Sequence, residues 1–459
     1  MGRNEVVVTG VGPVSAIGIG RNEFWEALVA GRHGFRRISL CDASRSPSKI
    51  AAEIPDFRLE RFVTEGDLMA RRTPRPVQLA LAAAVLALHD SGIDLDDCDP
   101  DRLGVHVGTS VGNLETILQL NSRYQQTGSA PPYTSFHAFN HSAACLLSSF
   151  FNIRGPIHTT TSGCNSGIDA LGQSLRMIQA GAADAMLVVG TDCEVVPEVI
   201  AALNASNSLT TRYNDAPERA SRPFDLGRDG NVIGEGAAAL LLESESHALA
   251  RGARIYARLG GYQICSAGQN RQYSHDRPEI DTRPAVRAIG IAIGESGLLP
   301  EMIGLVNANG SSSVIYDRLE AQAFAEVFGE SLPDIPIHSI KSMLGQHGAG
   351  SSALQAVTAC LSIQCEAAPP TINHEDPDPS CGNIRVVVRA SEFPRRPVLV
   401  HSIGLGGFYY SAAVFLPPDG KTGNTNEAHQ VQWSKKAHPR FQPAEEFQRP
   451  LTPLSPRHD

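Results

Sequence analysis

Cys164 stands in the run Thr161-Ser162-Gly163-Cys164-Asn165-Ser166-Gly167, where a strand-like stretch ends in small residues and an amphipathic segment begins. That order predicts a strand, a tight turn and a helix with the cysteine at its mouth. The free N–H groups and positive dipole end of a helix favour a thiolate there. The same N–H groups can hold an oxyanion once an acyl group sits on the sulfur. The layout has the logic of a nucleophile elbow with sulfur in place of oxygen. A lone cysteine can also simply pack beneath a strand, but the flanking Gly163 and Gly167 point to chemistry.

A sulfur nucleophile needs partners that stabilise charge or move protons. Two turns offer them, Val306-Asn307-Ala308-Asn309-Gly310-Ser311 and Lys341-Ser342-Met343-Leu344-Gly345-Gln346-His347-Gly348. Asn309 and Gln346 bring amide donors, and His347 brings an imidazole. Both turns fall at predicted strand ends, where α/β proteins gather their sites. The same residue types also serve as turn and cap residues, and spacing alone leaves both readings open. A third loop, His401-Ser402-Ile403-Gly404-Leu405-Gly406-Gly407-Phe408, is either a glycine-rich gate beside a substrate or a plain turn. Thr9-Gly10-Val11-Gly12-Pro13 begins like a dinucleotide fingerprint, but the third glycine is missing and Pro13 interrupts it. No Walker A, HExxH or CxxC sequence occurs.

These loops need a frame. Val6–Val8, Leu103–Val107, Ala185–Val189 and Leu240–Glu243 read as strands. Arg75–Ser91, stopped by Gly92, and Gly167–Ala180, closed by Gly181, read as helices. Strands alternating with helices predict an α/β fold with parallel sheets covered on both faces. The order of elements recurs. Ile303–Asn307 leads into Gly310 as Leu103–Val107 leads into Gly108, and Pro336–Ile340 leads into an Ala-rich helix as His158–Ser162 leads into the Gly167 helix. The expected organisation is two similar halves, 1–255 and 256–417, followed by a polar, proline-containing tail over 418–459 that cannot bury enough apolar surface to fold alone.

The chain has 459 residues, 42% hydrophobic and 19% charged, with a formal net charge of −9. An acidic chain does not bind nucleic acid by bulk charge. No apolar run approaches the ~18 residues of a membrane span. The start runs directly into a strand with no signal-peptide pattern, and the nine cysteines are odd in number, so reduced cysteines in a cytoplasmic protein are expected. No metal site is expected.

Taken together, these blocks resemble the β-ketoacyl-acyl carrier protein synthase family of the thiolase superfamily. The likeness rests on Val8-Thr9-Gly10-Val11-Gly12, the Thr161–Gly167 turn, Ala220-Ser221-Arg222-Pro223-Phe224-Asp225, Asp229-Gly230-Asn231-Val232-Ile233-Gly234-Glu235-Gly236-Ala237, Lys341-Ser342-Met343 and Gly404-Leu405-Gly406-Gly407. It runs from Glu5 to about Phe415. The cysteine turn, Leu209-Thr210-Thr211-Arg212-Tyr213-Asn214-Asp215 and Gly406-Gly407-Phe408 are similar in particular to ketosynthase α subunits of type II polyketide synthases. The resemblance implies a thiolase fold with five layers, α-β-α-β-α, and a dimer.

The resemblance also assigns roles. Cys164 matches the family's nucleophile. The family's two catalytic histidines match positions that here hold Asn309 and Gln346. His347 lies one residue beyond the second. Lys341 completes the implied catalytic set, and Asp317, Glu320, His401 and Phe408 fall at supporting positions. Leu405 stands where the gating phenylalanine is usual, with Gly406 beside it, and Cys164 and Leu405 belong to the oxyanion and gating loops. Arg71, Arg72 and Arg75 fall where the family's carrier-facing basic segment lies, though a solvated basic face would read the same. No cofactor is implied. The substrate would be a thioester on the phosphopantetheine of an acyl carrier protein or on coenzyme A. Three readings stay open at this point. One is an acyl-enzyme forming acyltransferase that condenses through an atypical Cys-Asn-Gln site. Another is acyl transfer or cyclisation on a different nucleophile. The last is a catalytically silent partner in a ketosynthase heterodimer.

Overall fold

A computed structural model describes residues 4–268 and 281–418. The expected tail, 418–459, lies outside the described residues except for Pro418. The strands that frame the molecule are numbered here in chain order. They are β1 Val6–Ser15, β2 Leu103–Gly108, β3 Ile157–Thr160, β4 Ala185–Cys193, β5 Ile233–Ser244, β6 Ala257–Ser266, β7 Leu305–Asn307, β8 Pro336–His338, β9 Val398–Ile403 and β10 Tyr409–Leu416. The helices that pack on them are α1 Arg75–Ser91, α2 Ser142–Phe151, α3 Ser166–Gln179, α4 Arg283–Glu295, α5 Val314–Phe328 and α6 Gly348–Cys365.

These strands belong to one 14-stranded mixed sheet. On one side the order is β1-β5-β4-β2-β3, and on the other β6-β10-β9-β7-β8. In both runs the first two pairings are antiparallel and the last two parallel. The runs meet where β1 and β6 pair antiparallel, Val7 with Arg258 and Val8 with Ala257. Helices α1 and α2 cover the outer face of the first run, and α4 and α5 that of the second. Helices α3 and α6 lie between the runs and touch strands of both. Five layers result.

Composition explains the layering. The middle helix α6 is buried from Gly348 through Ile363, so it carries apolar and small residues all round rather than on one stripe. Helix α1 reads RPVQLALAAAVLALHDS, with Pro76 in its first turn and Gly92 at φ 63° ending it. The sheet differs from the sequence expectation in being mixed rather than parallel, because each run begins with two antiparallel strands. Three strands also run further than their apolar cores suggested: β1 to Ser15, β4 to Cys193, and β5 over the whole of Ile233–Ser244. In β1 the residues Gly10, Gly12 and Pro13, which begin like a dinucleotide fingerprint, pair with β5. A Cβ on Gly12 would stand 2.1 Å from the Ala83 carbonyl oxygen, so the glycine admits α1 against the strand and does not break it.

The central helices approach each other in the same way. A Cβ on Gly167, at the start of α3, would lie 2.3 Å from the carbonyl oxygen of Ala349, in the first turn of α6. Exposed Gly290 in α4 has nothing within 4 Å of the corresponding point. In an open helix, Gly→Ala stabilises by roughly 0.5–1 kcal/mol. Gly290→Ala should therefore raise the urea midpoint. Gly167→Ala should lower it, by about 1–3 kcal/mol of overpacking. Equal shifts of the same sign would show that the helix contact yields freely.

Candidate active site

Five strand ends converge on one cavity. Strand β3 delivers Cys164, β4 delivers Glu194, β7 delivers Asn309, β8 is followed by Lys341 and Gln346, and β9 by Leu405. The cavity is lined by Cys164, Glu194, Asn309, Ser311, Gln346 and Leu405, with Tyr316, Asn231 and aliphatic side chains completing the wall. All five strands are parallel within their runs, and their carboxyl ends gather at this place.

Cys164 sits in a short 3-10 turn, Gly163–Asn165, that opens directly into α3. Asn165 anchors the turn by donating from Nδ2 to the Ser411 hydroxyl at 2.9 Å and accepting from the Ser402 hydroxyl at 2.9 Å. Ser166 accepts from the Ser162 N–H at 2.7 Å. The Leu405 backbone N–H and the Gln346 side chain each favour the ionised form of the cysteine sulfur.

The helix end does not win the contest over the thiol. Burial, reinforced by the Glu194 carboxyl, pushes Cys164 up to about 11, against the opposing pull of Leu405 N–H, Lys341 and Gln346. The expectation of a resting thiolate at the helix mouth is corrected here: desolvation of a buried sulfur outweighs the dipole.

Asn309 is held from two directions. Its Oδ1 accepts from Lys341 Nζ at 2.6 Å and from the Ile403 N–H at 3.1 Å. Two donors on one atom fix it as the carbonyl oxygen, which leaves the Nδ2 donors toward the cavity. Its backbone N–H donates to Glu320 Oε1 at 2.7 Å, and that of Gly310 to Glu320 Oε2 at 2.8 Å. Asp317 accepts from the Ser311 N–H and the Phe224 N–H, each at 2.9 Å. Burial raises Asp317 to about 6. Lys341 is fully enclosed, and burial pulls it down to about 8.

The remaining sequence-derived residues divide. His401 is buried outside the cavity wall, its Nδ1 2.6 Å from Glu320 Oε1 and its ring edge-on to Phe324. It backs the carboxylate that holds the Asn309 loop. His347 is not brought to the cavity: its ring packs against the backbone of Gly236 and Gly350, and burial drives its pKa down to about 3. The one-residue offset from Gln346 turns its side chain to the β5 side. Leu405 is 46% exposed and Phe408 38%, flanking Gly406 at φ 82°. Arg75 is turned inward, with Nε and a terminal nitrogen on the buried Glu235 carboxylate at 3.0 and 2.9 Å. Arg71 pairs with Asp67, and Arg72 is exposed.

The sequence reading missed Glu194. Its signal was present as Asp192-Cys193-Glu194, two carboxylates at the end of an otherwise apolar strand. Asp192 is structural. It accepts from the Thr109 hydroxyl at 2.9 Å and from the N–H groups of Val111 at 2.9 Å and Ala349 at 2.7 Å, tying the β2 loop to α6. Among the described residues, no group of three His, Cys, Asp or Glu side chains could hold a metal ion, and no helix is long and apolar enough to cross a membrane.

A thiol near 11 is ionised in about one molecule in a thousand at pH 8. Iodoacetamide alkylation of Cys164, followed by peptide mass spectrometry, should accelerate about tenfold per pH unit from pH 7 to 10. A plateau below pH 9 would contradict the desolvated thiol.

Residues 3–248 match the N-terminal domain model of β-ketoacyl synthases, and residues 256–375 match the C-terminal domain model. The chain is 35% identical over 410 residues to a 3-oxoacyl-[acyl-carrier-protein] synthase 2 of Coxiella burnetii, covering 89% of this chain and 97% of that one. It is 37% identical over 422 residues to a putative polyketide β-ketoacyl synthase 1 of Streptomyces halstedii, covering 90% and 98%. A solved ketosynthase/chain length factor of ishigamide synthesis superposes with a TM-score of 0.82 at 30% identity, covering 91% of this chain and all of that one. A type II polyketide ketosynthase solved with its acyl-carrier protein gives 0.81 at 30% identity, covering 91% and 100%. The layered architecture is thus the thiolase fold, and the chain belongs to the β-ketoacyl synthase family of fatty-acid and polyketide biosynthesis.

Proposed function

We propose that the chain is an acyltransferase that takes an acyl group onto Cys164 and extends it by condensation through a Cys164–Asn309–Gln346 site. The observation that carries this reading is the double hold on Asn309 Oδ1 by Lys341 and Ile403, which turns amide donors toward the cavity that contains the sulfur. In the first half-reaction the sulfur attacks the thioester carbonyl, and the departing thiol leaves with a proton. The Leu405 N–H and the N–H at Cys164 meet the oxyanion. In the second, a malonyl thioester loses carbon dioxide, and the electron pair of the broken bond forms an enolate. Asn309 Nδ2–H and Gln346 Nε2–H donate to that enolate oxygen. Its carbon attacks the acyl carbonyl on Cys164, and the sulfur departs and is reprotonated.

The substrate in this reading is a thioester on the phosphopantetheine of an acyl carrier protein or on coenzyme A. The carrier is supported by the relative solved with its acyl-carrier protein. Exposed Arg72, with Arg71 beside it, gives an acidic carrier a positive contact, whereas Arg75 is occupied by Glu235. A dimer, with a second copy or with a different ketosynthase-like subunit, is supported by the exposed Tyr124, Phe136 and Phe139, the second of them 73% exposed.

Mass spectrometry on the protein with an acyl-carrier donor and malonyl-carrier tests the chemistry. A product lengthened by a decarboxylated malonyl unit is expected, and it should vanish in Cys164→Ala. Asn309→Ala should lose about 10²–10³ in condensation while still forming the acyl adduct. A stable adduct with malonyl-carrier untouched would redirect the function to another acceptor. No adduct at all would leave a partner subunit. For the carrier surface, Arg72→Glu should weaken carrier binding by an amount that shrinks as salt is raised. Unchanged binding at low salt would remove Arg72 from the interface.

A further inference from the structure

We infer that Glu194 is a catalytic residue of this site, relaying the proton between the Cys164 sulfur and the sulfur of the departing thiol during acyl transfer. The inference rests on the acyl-enzyme reading above.

A transthioesterification must move one proton. The S–H bond of Cys164 breaks, a carbon–sulfur bond forms at Cys164, the carbon–sulfur bond to the donor breaks, and the donor sulfur gains a proton. Amides hold no proton to give or take at neutral pH, so Asn309 and Gln346 cannot do this. Neither imidazole is placed for it. His347 packs against Gly236 and Gly350, and His401 is committed to Glu320. Lys341 reaches Asn309 Oδ1 and does not line the cavity.

Glu194 does line it, together with Cys164. The residue is 6% exposed, and among the described residues its carboxyl group makes no hydrogen bond. Its backbone is fixed at the end of β4, where its N–H donates to the Gly234 carbonyl at 3.2 Å. A buried carboxyl without a hydrogen-bond partner, lining the cavity that holds the reacting sulfur, is placed for acid–base work rather than for stability.

Burial and neighbouring Asp192 hold Glu194 well above the ordinary carboxylate range, opposed by Lys341. A neutral carboxyl suits a relay. One oxygen accepts the thiol proton while the hydroxyl of the other donates to the leaving sulfur, and the group ends as it began.

The test compares wild type, Glu194→Gln and Glu194→Asp with two reagents. Acetyl- and octanoyl-coenzyme A report acylation of Cys164 by intact mass, and iodoacetamide reports access to the thiol without a leaving-group proton. Glu194→Gln should lose about 100-fold in acylation at pH 7 yet alkylate at least as fast as wild type, and Glu194→Asp should recover part of the acylation. Acylation of Glu194→Gln at the wild-type rate, or an equal fall with both reagents, would overturn the relay. Wild type that alkylates but takes no acyl group from either donor would overturn the acyl-enzyme reading itself, and the relay with it.

Discussion

Helices α3 and α6 meet N-terminus against N-terminus at a separation that a single methyl group would abolish, because Gly167 faces the Ala349 carbonyl. The site follows from that contact. The turn before α3 carries Cys164, and the loop before α6 carries Gln346, so pressing the two helix starts together brings both side chains to one cavity. Gly190 of β4 meets the same carbonyl, which sets the strand that ends in Glu194. Asp192 closes the arrangement by accepting the Ala349 N–H while it also holds the loop after β2. Helix α6, buried all round, and the broad buried face of α3 need sheets on both sides, and the five layers satisfy that need.

Putting this meeting point in the centre of the protein sets its electrostatics. Desolvation there favours the neutral form of several buried groups. The thiol of Cys164 rises to about 11, Lys341 falls to about 8, His347 falls to about 3 and Asp317 rises to about 6. The shifts share a direction even though the groups differ. A helix dipole worth up to about 2 kcal/mol cannot offset the loss of hydration around a buried sulfur. The network instead uses its few charges for position. Glu320 collects the Asn309 and Gly310 N–H groups and the His401 ring, and Lys341 holds the Asn309 amide oxygen.

Local pattern carried much of this. The Cys164 turn, α1 with its Gly92 stop, and the loops holding Asn309 and Gln346 were readable because each combines a strand end, small residues and a polar side chain. What was not readable depends on partners distant in sequence. Gly10 and Gly12 begin like a dinucleotide fingerprint, and their role in admitting α1 shows only once the helix is placed on the strand. His347 and Gln346 differ by one residue, and only the α6 entry decides which faces the sulfur. Arg75 belongs with its neighbouring arginines in sequence but with Glu235 in space. Glu194 was hidden because a carboxylate after an apolar strand usually marks a solvated end, and here the strand ends inside the protein.

Amide donors ask something different of the rest of a site than imidazoles do. An imidazole can donate a hydrogen bond to an enolate and also exchange a proton. An amide does only the first, but its polarity is independent of pH and its orientation can be fixed by pinning the oxygen, as Lys341 and Ile403 do for Asn309. On the proposed chemistry, charge stabilisation and proton movement therefore fall to separate groups on separate strands: amides after β7 and β8, a carboxyl after β4. Such a division places the pH dependence of acyl transfer with the carboxyl and the thiol, and leaves the enolate donors indifferent to pH.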